Sequence, residues 1–333
     1  MSSQMSNPLV SVIIPTHNRA QLLPRAINSV LNQTYHNFEL LIVDDGSTDN
    51  TEGVVKSFDD NRIIYHKHKK NKGVLAACNT GWDLTKGKYN CALGDDDELL
   101  PEALETAVNK LIEFSSQGIK MAQFDCIDAE IGRFSGSGIR EEGYISYEDI
   151  LCGRVRGDYW KVFDMSLLGD NRFDERLWGD ESILWLKLHR ESKSYYIPKV
   201  LYKAYREHSE RMSRSMHSLK NISRVTLTQK AFLEEFGEEM KSLCPKRYGQ
   251  RLAQLGSCQL RNGEKLAGRK TLRESFKYSF SFKHRILYLL SFILNKNQIR
   301  ALYIVYIRFL DVKQAAVSTF IVIRKLLFRT KAS

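Results

Sequence analysis

The chain has 333 residues, of which 43% are hydrophobic, and carries a net charge of +11 at pH 7. This length exceeds a single usual core, so we expect one large domain and a smaller one. No stretch reaches the roughly 18–20 uninterrupted apolar residues of a spanning helix, and the first residues lack the basic and apolar regions of a secretory signal. These features argue against a secreted or integral membrane protein.

Short β-rich runs alternate with runs of helical periodicity over residues 9–127. The β-rich runs cover 9–14, 38–43, 62–65, 89–93 and 121–127, and the helical runs include 22–31 and 104–112. This alternation predicts an α/β fold with a mostly parallel sheet covered by helices. The irregular, aromatic-rich stretch at 128–210 is expected to complete the same domain.

Polar clusters follow three of the predicted strands. They are Pro-Thr-His-Asn-Arg at 15–19, Asp-Asp-Gly-Ser at 44–47 and Asp-Asp-Asp at 95–97. The carboxyl ends of neighbouring parallel strands meet in one crevice, where open α/β sheets bind ligands. Neither a G-x-G-x-x-G fingerprint nor a G-K-[ST] loop is present, so neither a dinucleotide cofactor nor a P-loop is predicted.

The acidic cluster of Asp95, Asp96 and Asp97 ends an apolar strand shortly before Pro101, which suits a first helical turn. Carboxylates this close either raise one another's pKa or bind a cation, and oxygen ligands favour Mg²⁺ or Mn²⁺ over zinc. The alternative is an acidic helix N-terminus that interacts with the helix dipole. We expect a hard-cation site here.

Two further segments have the chemistry of ligand contacts. At the end of the second strand, Asp44 and Asp45 can accept from a base N–H or a ribose hydroxyl, or they can simply cap the next helix. Lys72 and Gly73 begin a short helix whose amide groups can meet a phosphate or sugar, with Asn79 two turns further along. The alternative there is a solvated lysine beside a glycine-led helix start.

Four segments in this order resemble the family 2 glycosyltransferases. They are VSVIIPTHNR, FELLIVDDGSTDNT, NKGVLAACNTG and GKYNCALGDDDELLP. The resemblance covers about residues 8–212 and implies a GT-A fold, a Rossmann-like mixed sheet flanked by helices. It also implies an inverting enzyme that transfers a sugar from a nucleotide-sugar.

The resemblance implies roles for individual residues of these segments. The nucleotide would be held by Pro15, Thr16, Asn18, Arg19 and Asp44. Mg²⁺ or Mn²⁺ would bridge the diphosphate and bind Asp96, with Asp95 and Asp97 in support. Members often carry an acid where this chain has Gly94.

Residues 178–182, Trp-Gly-Asp-Glu-Ser, resemble the family's Gly-Glu-Asp element with its two acids transposed. An inverting transfer needs a carboxylate that takes the proton from the acceptor hydroxyl. Alignment favours Glu181 for this role and side-chain type favours Asp180, and we prefer Glu181. The segment that begins at Tyr205 resembles the family's basic-His segment, which implies that Arg206 contacts phosphate and His208 contacts the metal or diphosphate.

Two sets of residues are expected to have no functional role of their own. The six cysteines, which form no Cys-x-x-Cys pair, are expected to be reduced core thiols, as is typical of a cytoplasmic protein. His66, His68 and His217 lie in basic contexts and are expected at the surface.

The chain is expected to become helical in its last third, with helices at 222–236, 247–261 and 265–278, the last two as a hairpin. Residues 281–333 hold ten basic residues and one acid, which is nine of the eleven net positive charges. Amphipathic helices of this kind either lie on an anionic membrane surface or pack on a neighbouring domain. Both alternatives stay open.

We therefore expect a GT-A catalytic domain at 1–212 and a helical, basic, amphipathic region at 213–333. The predicted enzyme uses a nucleotide-sugar, UDP-linked, and a glycan or lipid-linked glycan acceptor, in the cytoplasm or at the inner face of the cell membrane. One alternative is an inactive glycan- or nucleotide-sugar-binding relative. A nucleic-acid-binding protein is disfavoured because the basic tail is rich in aliphatic residues and no binding module is visible, so no nucleic acid partner is expected.

Overall fold

The computed structural model describes residues 7–177, 181–205 and 221–306. The chain divides into two compact units, Met1–Ser215 with Ser242–Cys244, and Met216–Lys241 with Pro245–Ser333. All described strands belong to the first unit, and the described part of the second unit is helical. The predicted boundary between residues 212 and 213 lies outside the described residues and stays a prediction.

The first unit alternates strands and helices along the chain. Its strands are β1 (Val10–Thr16), β2 (Phe38–Asp44), β3 (Ile63–Lys67), β4 (Tyr89–Ala92), β5 (Glu98–Leu99), β6 (Met121–Asp128), β7 (Gly136–Ser137), β8 (Gly143–Ile145), β9 (Arg156–Gly157), β10 (Tyr159–Asp164) and β11 (Ser194–Ala204). Its helices are α1 (Leu23–Leu31), α2 (Thr51–Lys56), α3 (Val74–Leu84), α4 (Ala103–Glu113), α5 (Tyr147–Leu151), α6 (Met165–Leu168) and α7 (Ser182–Glu191). The five predicted strands correspond to β1, β2, β3, β4 and β6.

Nine strands form one mixed sheet in the order β3-β2-β1-β4-β10-β6-β11-β5, with β8 also paired to β11. The pairs among β1, β2, β3 and β4 are parallel, as is the pair of β6 with β11. Strand β10 runs antiparallel between β4 and β6. This arrangement confirms the predicted α/β fold class, a mixed sheet flanked by helices.

The central strands are buried on both faces, which explains their continuous apolar sequences. Helices α1 and α4 cover one face of the sheet, and α3 and α7 cover the other. In the parallel register, Thr16 pairs with Asp44, and Asp44 pairs with Lys67. The loops after β1, β2 and β4 therefore emerge along one edge of the sheet, as the sequence predicts.

The cysteine prediction is wrong for one pair. Cys152 and Cys244 form a disulfide with their Cα atoms 5.6 Å apart. They are separated by 92 positions, and no spacing rule links cysteines that far apart. The other four, Cys78, Cys91, Cys126 and Cys258, are buried free thiols, as expected.

The described part of the second unit consists of helices α8 (Ile222–Leu243), α9 (Pro245–Asn262), α10 (Lys265–Ser275) and α11 (Phe282–Ile293), followed by helical residues 296–306. The predicted hairpin is present as α9 and α10. A Cβ on Gly256 would lie 3.0 Å from the Gly268 carbonyl oxygen, so glycine allows the two helices to approach closely here. Within the described ranges, no helix has the length and apolarity needed to cross a membrane.

Candidate active site

A cavity of about 380 Å³ opens at the edge of the sheet where the polar loops emerge. Of the residues predicted for the site, Pro15, Asp96, Asp97 and Glu181 line this cavity. They come from the end of β1, from the loop after β4 and from the start of α7. The fold therefore brings residues from three distant segments to one space.

The acidic loop after β4 is held by a guanidinium from the first loop. Arg19 Nη1 donates to Asp95 Oδ1 at 3.0 Å and to Asp96 Oδ2 at 2.8 Å. Burial opposes the charge on Arg19, but the two carboxylates raise its pKa above the ordinary value. Asp95 is buried, which raises its pKa, and the Arg19 charge opposes that shift.

Asp97 is held by Tyr202 of β11 and by Tyr205, which directly follows that strand. The Tyr202 hydroxyl donates to Asp97 Oδ2, and the Tyr205 backbone N–H donates to Oδ1 at 2.9 Å. Burial raises the pKa of Asp97 to about 6, helped by the neighbouring Asp96 charge and opposed by the two hydrogen bonds. Sequence analysis assigned no role to Tyr202, although it lies in a strand-like run.

Gly94 stands where family members often carry an acid, and the structure gives a steric reason. A Cβ on Gly94 would lie 2.6 Å from Asp97 Oδ2 and 3.2 Å from Tyr202 Oη. The Gly94 N–H also donates to that hydroxyl at 3.2 Å. A side chain at this position would displace either the Asp97 carboxylate or its tyrosine partner.

The first and second loops are tied together by Asn18. Its backbone is left-handed, with a φ of 53°, and its Oδ1 accepts from the Thr48 N–H at 2.7 Å. Its own N–H donates to Ser47 Oγ at 2.8 Å. Asp44 is fully buried and accepts from the Ser47 N–H at 2.7 Å and the Tyr65 hydroxyl at 2.5 Å.

Asp45 organises the loop that leads into α3. Its carboxylate accepts from the N–H groups of Lys72 at 2.8 Å and Gly73 at 2.6 Å. These two amide groups, predicted to meet a phosphate or sugar, point instead at Asp45. The carboxylate also accepts from His68 Nδ1 at 2.8 Å, and His68 Nε2 lies 2.9 Å from Thr80 Oγ1.

The surface prediction for His68 is therefore wrong, because its ring is buried between Asp45 and Thr80. The sequence carries no local signal for this burial, since the contact depends on how β2 meets the 68–73 loop. Asn79 is engaged in a similar way: its amide donates to the Phe173 carbonyl and accepts from the Phe173 N–H, each at 2.9 Å. In this structure Asn79 fixes the backbone of Phe173, whose side chain lines the cavity.

Glu181 lies at the start of α7 and lines the cavity. The Trp185 indole N–H donates to Glu181 Oε2 at 3.3 Å. The Glu181 charge also adds to the effect of burial in raising the pKa of the Cys78 thiol, another cavity-lining group. Asp180, Arg206 and His208 lie outside the residues that the structure describes, so their predicted roles stay predictions.

The cavity is also lined by aromatic and charged side chains for which the sequence predicted no role. They include Trp82, Asp158, Lys161, Phe173 and Trp185. Lys161 Nζ lies 5.3 Å from the centre of the Trp185 ring, a cation–π contact. Aromatic walls beside charged groups suit a sugar, which offers C–H faces and hydroxyl groups.

The donor set fits a hard divalent cation in chemical type. Asp96 and Asp97 offer carboxylate oxygens to the cavity, and of the three neighbouring carboxylates Asp95 and Asp96 are paired with the Arg19 guanidinium. Within the described ranges, however, no three acidic, His or Cys side chains come together as a complete metal site. Ligand phosphates would have to complete the coordination shell.

Comparison with known proteins agrees with these observations. Residues 11–160 match the family model "Glycosyl transferase family 2". The Campylobacter jejuni GalNAc(5)-diNAcBac-PP-undecaprenol beta-1,3-glucosyltransferase is 37% identical over 229 residues, which is 66% of this chain and 71% of that protein. The Escherichia coli UDP-Glc:alpha-D-GlcNAc-diphosphoundecaprenol beta-1,3-glucosyltransferase WfgD is 37% identical over 56% of this chain and 72% of its own length.

The fold also has a counterpart among solved structures. The crystal structure of S. aureus TarS 1-349 in complex with UDP-GlcNAc has a TM-score of 0.58 and 18% identity, covering 80% of this chain and 89% of that one. At that identity the likeness concerns the fold alone. Because curated relatives at 37% identity align over more than two thirds of their own length, the chain belongs to glycosyl transferase family 2 and is a glycosyltransferase of the GT-A fold.

Proposed function

We propose that the enzyme transfers glucose from UDP-glucose, with inversion, to a glycan carried on a polyprenyl diphosphate. The names of two relatives support this choice, since both are beta-1,3-glucosyltransferases that act on diphosphoundecaprenol-linked glycans. The observation that carries the mechanism is the meeting of Asp96, Asp97 and Glu181 on one cavity. Acids that come from two separate segments and line one cavity can serve the leaving group and the attacking hydroxyl of one displacement.

Glu181 is the proposed general base. Its carboxylate takes the proton from the acceptor hydroxyl as the oxygen attacks the anomeric carbon, and the bond from that carbon to the diphosphate oxygen breaks. Attack from the face opposite the leaving group inverts the anomeric centre. The Trp185 indole N–H on Oε2 fixes the orientation of the carboxylate.

The nucleotide side of the site is proposed to lie along the first two loops. The proposed contacts remain Pro15, Thr16, Asn18, Arg19 and Asp44. Two residues outside the described ranges are proposed to add to them, Arg206 as a phosphate contact and His208 as a contact of the metal or diphosphate. Hydrogen bonds hold four further residues in place beside the site. The Lys72 and Gly73 N–H groups donate to Asp45, and Asn79 donates to the Phe173 carbonyl. This assigns them positioning roles.

Asp96 and Asp97 would hold Mg²⁺ or Mn²⁺, with Asp95 kept in place by Arg19. Such an ion supplies positive charge to the departing diphosphate. Residues 281–333 are proposed to contact an anionic membrane surface, which would keep the enzyme at the periphery of the membrane near a lipid-linked acceptor.

The test measures UDP release by the full-length protein from UDP-glucose, UDP-GlcNAc and UDP-GalNAc with Mn²⁺ or Mg²⁺. The acceptors are polyprenyl diphosphates that carry a terminal GlcNAc or GalNAc. We expect release from UDP-glucose that depends on both metal and acceptor, and a product with the anomeric configuration inverted.

Asp96→Asn is the informative variant, and Asp59→Asn, at an exposed acid outside the cavity, is its matched control. We expect Asp96→Asn to lower turnover by about a hundredfold or more and Asp59→Asn to leave it unchanged. A retained anomeric configuration, or equal activity of the two variants, would contradict the proposal. Donor binding without turnover on any acceptor would instead favour an inactive relative.

A further inference from the structure

The second unit contains a separate, mostly apolar cavity of about 300 Å³. It lies between α9, α11 and helical residues 296–306. Its apolar walls are Ile286, Leu287, Leu290, Ile299 and Leu302, and Tyr303 and Tyr306 complete them. The proposed transfer reaction uses none of these residues.

A buried cation, Arg261, lies in the wall of this cavity. Arg261 is only 8% exposed. Its guanidinium donates to the Ser257 carbonyl at 3.2 Å and to Cys258 Sγ at 3.1 Å, and it stacks 3.8 Å from the centre of the Tyr303 ring. Among the residues that the structure describes, no carboxylate pairs with it. A buried charge without a counter-ion is costly, and an anionic ligand would remove that cost.

Two more basic groups lie at the same cavity. Lys283 Nζ is 3.5 Å from the Tyr306 hydroxyl and pairs with no acid in the described part of the chain. Burial, together with the smaller effects of the Lys283 and Arg261 charges, lowers the pKa of His284 to about 4. The field inside this cavity is therefore positive.

The nearest acids along the chain do not neutralise that field. Glu264 accepts from Lys230 at 2.9 Å, and Glu274 pairs with Lys277 at 2.7 Å. From residue 275 to residue 306 the sequence contains no acid at all. The positive charge is thus left for a ligand to compensate.

The helices around the cavity also expose large apolar side chains. On α11, Phe282 is 69% exposed and Ile293 is 82% exposed, with Leu289 and Phe292 also exposed. The following helical residues expose Leu302, Ile304 and Val305. A surface that combines exposed apolar groups with unpaired cations suits a molecule with an anionic head and a hydrocarbon chain.

We propose that this cavity binds the phosphate headgroup of an anionic membrane lipid, held by Arg261 and Lys283, with the hydrocarbon chain along the apolar side chains of α11 and residues 296–306. This goes beyond a general attraction between a basic tail and a membrane, because it names a site and two phosphate contacts. It involves no residue of the catalytic cavity, so it stands or fails independently of the proposed transfer reaction.

The test is calorimetric titration of the full-length protein with decyl phosphate, kept below its micellar concentration. The comparison ligands are decyl maltoside, which lacks the charge, and inorganic phosphate, which lacks the chain. We expect decyl phosphate to bind at least about tenfold more tightly than either, since it alone satisfies both the cations and the apolar wall. Equal affinity for decyl phosphate and decyl maltoside would overturn the assignment.

Matched variants separate a specific site from diffuse attraction. We expect Arg261→Gln and Lys283→Gln each to weaken decyl phosphate binding by about tenfold, the loss of one charge-assisted hydrogen bond. Arg285→Gln on the same helix and Arg273→Gln on α10 remove the same charge away from the cavity and should leave binding unchanged. Lys283 is exposed, so its replacement keeps the test valid if Arg261→Gln fails to fold.

Vesicles of phosphatidylcholine with and without phosphatidylglycerol extend the test to a bilayer. We expect flotation with the anionic vesicles to fall in Lys283→Gln but not in Arg285→Gln. Equal losses in both variants would mean that attraction is diffuse and would overturn the proposal. Unchanged binding in both Arg261→Gln and Lys283→Gln would also overturn the proposal. The occupant of the cavity would then be residues 307–333 or a second copy of the chain.

Discussion

Arg19 Nη1 lies 2.8 Å from Asp96 Oδ2, although the two residues are 77 positions apart in the sequence. The contact joins the loop after β1 to the acidic loop after β4. The same nitrogen also donates to Asp95. One guanidinium therefore sets the position of two carboxylates that the proposed diphosphate chemistry requires.

Replacing Arg19 should disturb that position. We expect Arg19→Gln to lower kcat/KM for the nucleotide-sugar by about tenfold or more, because Asp95 and Asp96 lose their shared charged donor and repel each other. Steady-state kinetics with varied donor and divalent ion will check this. Arg172→Gln, which removes a surface ion pair with Asp83, is the control and should have no effect. Equal kinetics for the two variants would refute the role of Arg19.

Gly94 provides a steric prediction. In Gly94→Ala the new Cβ would lie 2.6 Å from Asp97 Oδ2, so the carboxylate must move. A displacement of this kind at a reacting centre lowers the reaction rate by up to about a hundredfold. We expect kcat/KM to fall at least about tenfold. Gly143→Ala is the control, since a Cβ there meets nothing within 4 Å. Full activity in Gly94→Ala would mean that Asp97 has room to move.

His189 predicts a pH dependence of stability. Its Nδ1 donates to the Trp185 carbonyl at 2.6 Å and its Nε2 accepts from Gln123 at 2.8 Å, so the buried ring is neutral. Burial lowers its pKa from 6.5 to about 4. Between these values the unfolded state binds more protons, so stability falls as the pH falls, by up to about 1.4 kcal/mol per pH unit for one proton.

Urea unfolding at pH 7, 6, 5 and 4.5 will measure this slope. Compared with the wild type, His189→Gln should lose less stability on acidification, whatever its stability at pH 7. His284 has a similarly lowered pKa and remains in both proteins, so the difference between the two curves isolates His189. Parallel curves would show that His189 does not titrate in this way.

The disulfide can be tested by counting the cysteines that react with a thiol reagent. After denaturation without reductant, iodoacetamide should label the four free cysteines, and after reduction it should label all six. Mass spectrometry of the peptides that contain Cys152 and Cys244 will identify the protected pair. Cys152→Ser should expose Cys244 to the reagent without reductant. Labelling of all six cysteines in unreduced protein would contradict the pairing.

The parts of the fold with local signals could be predicted from the sequence. Five strands and the convergence of their polar loops follow from alternating patterns and from the rule for parallel strands. Strand β10 could not be predicted, because Lys161 interrupts the short apolar run of Tyr159–Asp164, and its place between β4 and β6 depends on antiparallel pairing with segments far away in the sequence. The hydrogen bonds of Tyr202 with Asp97 and of His68 with Asp45 could not be predicted either, since each joins segments that only the tertiary structure brings together.

The proton-transfer role of Glu181 is the central claim, and one comparison tests it most directly. It is kcat at saturating donor and acceptor for Glu181→Gln against Glu191→Gln, which makes the same change at the exposed far end of α7. The account predicts a fall of about 10²–10⁴ in kcat for Glu181→Gln, with the donor KM little changed, and no fall for Glu191→Gln. Wild-type turnover in Glu181→Gln would contradict it and transfer the base role to another acid.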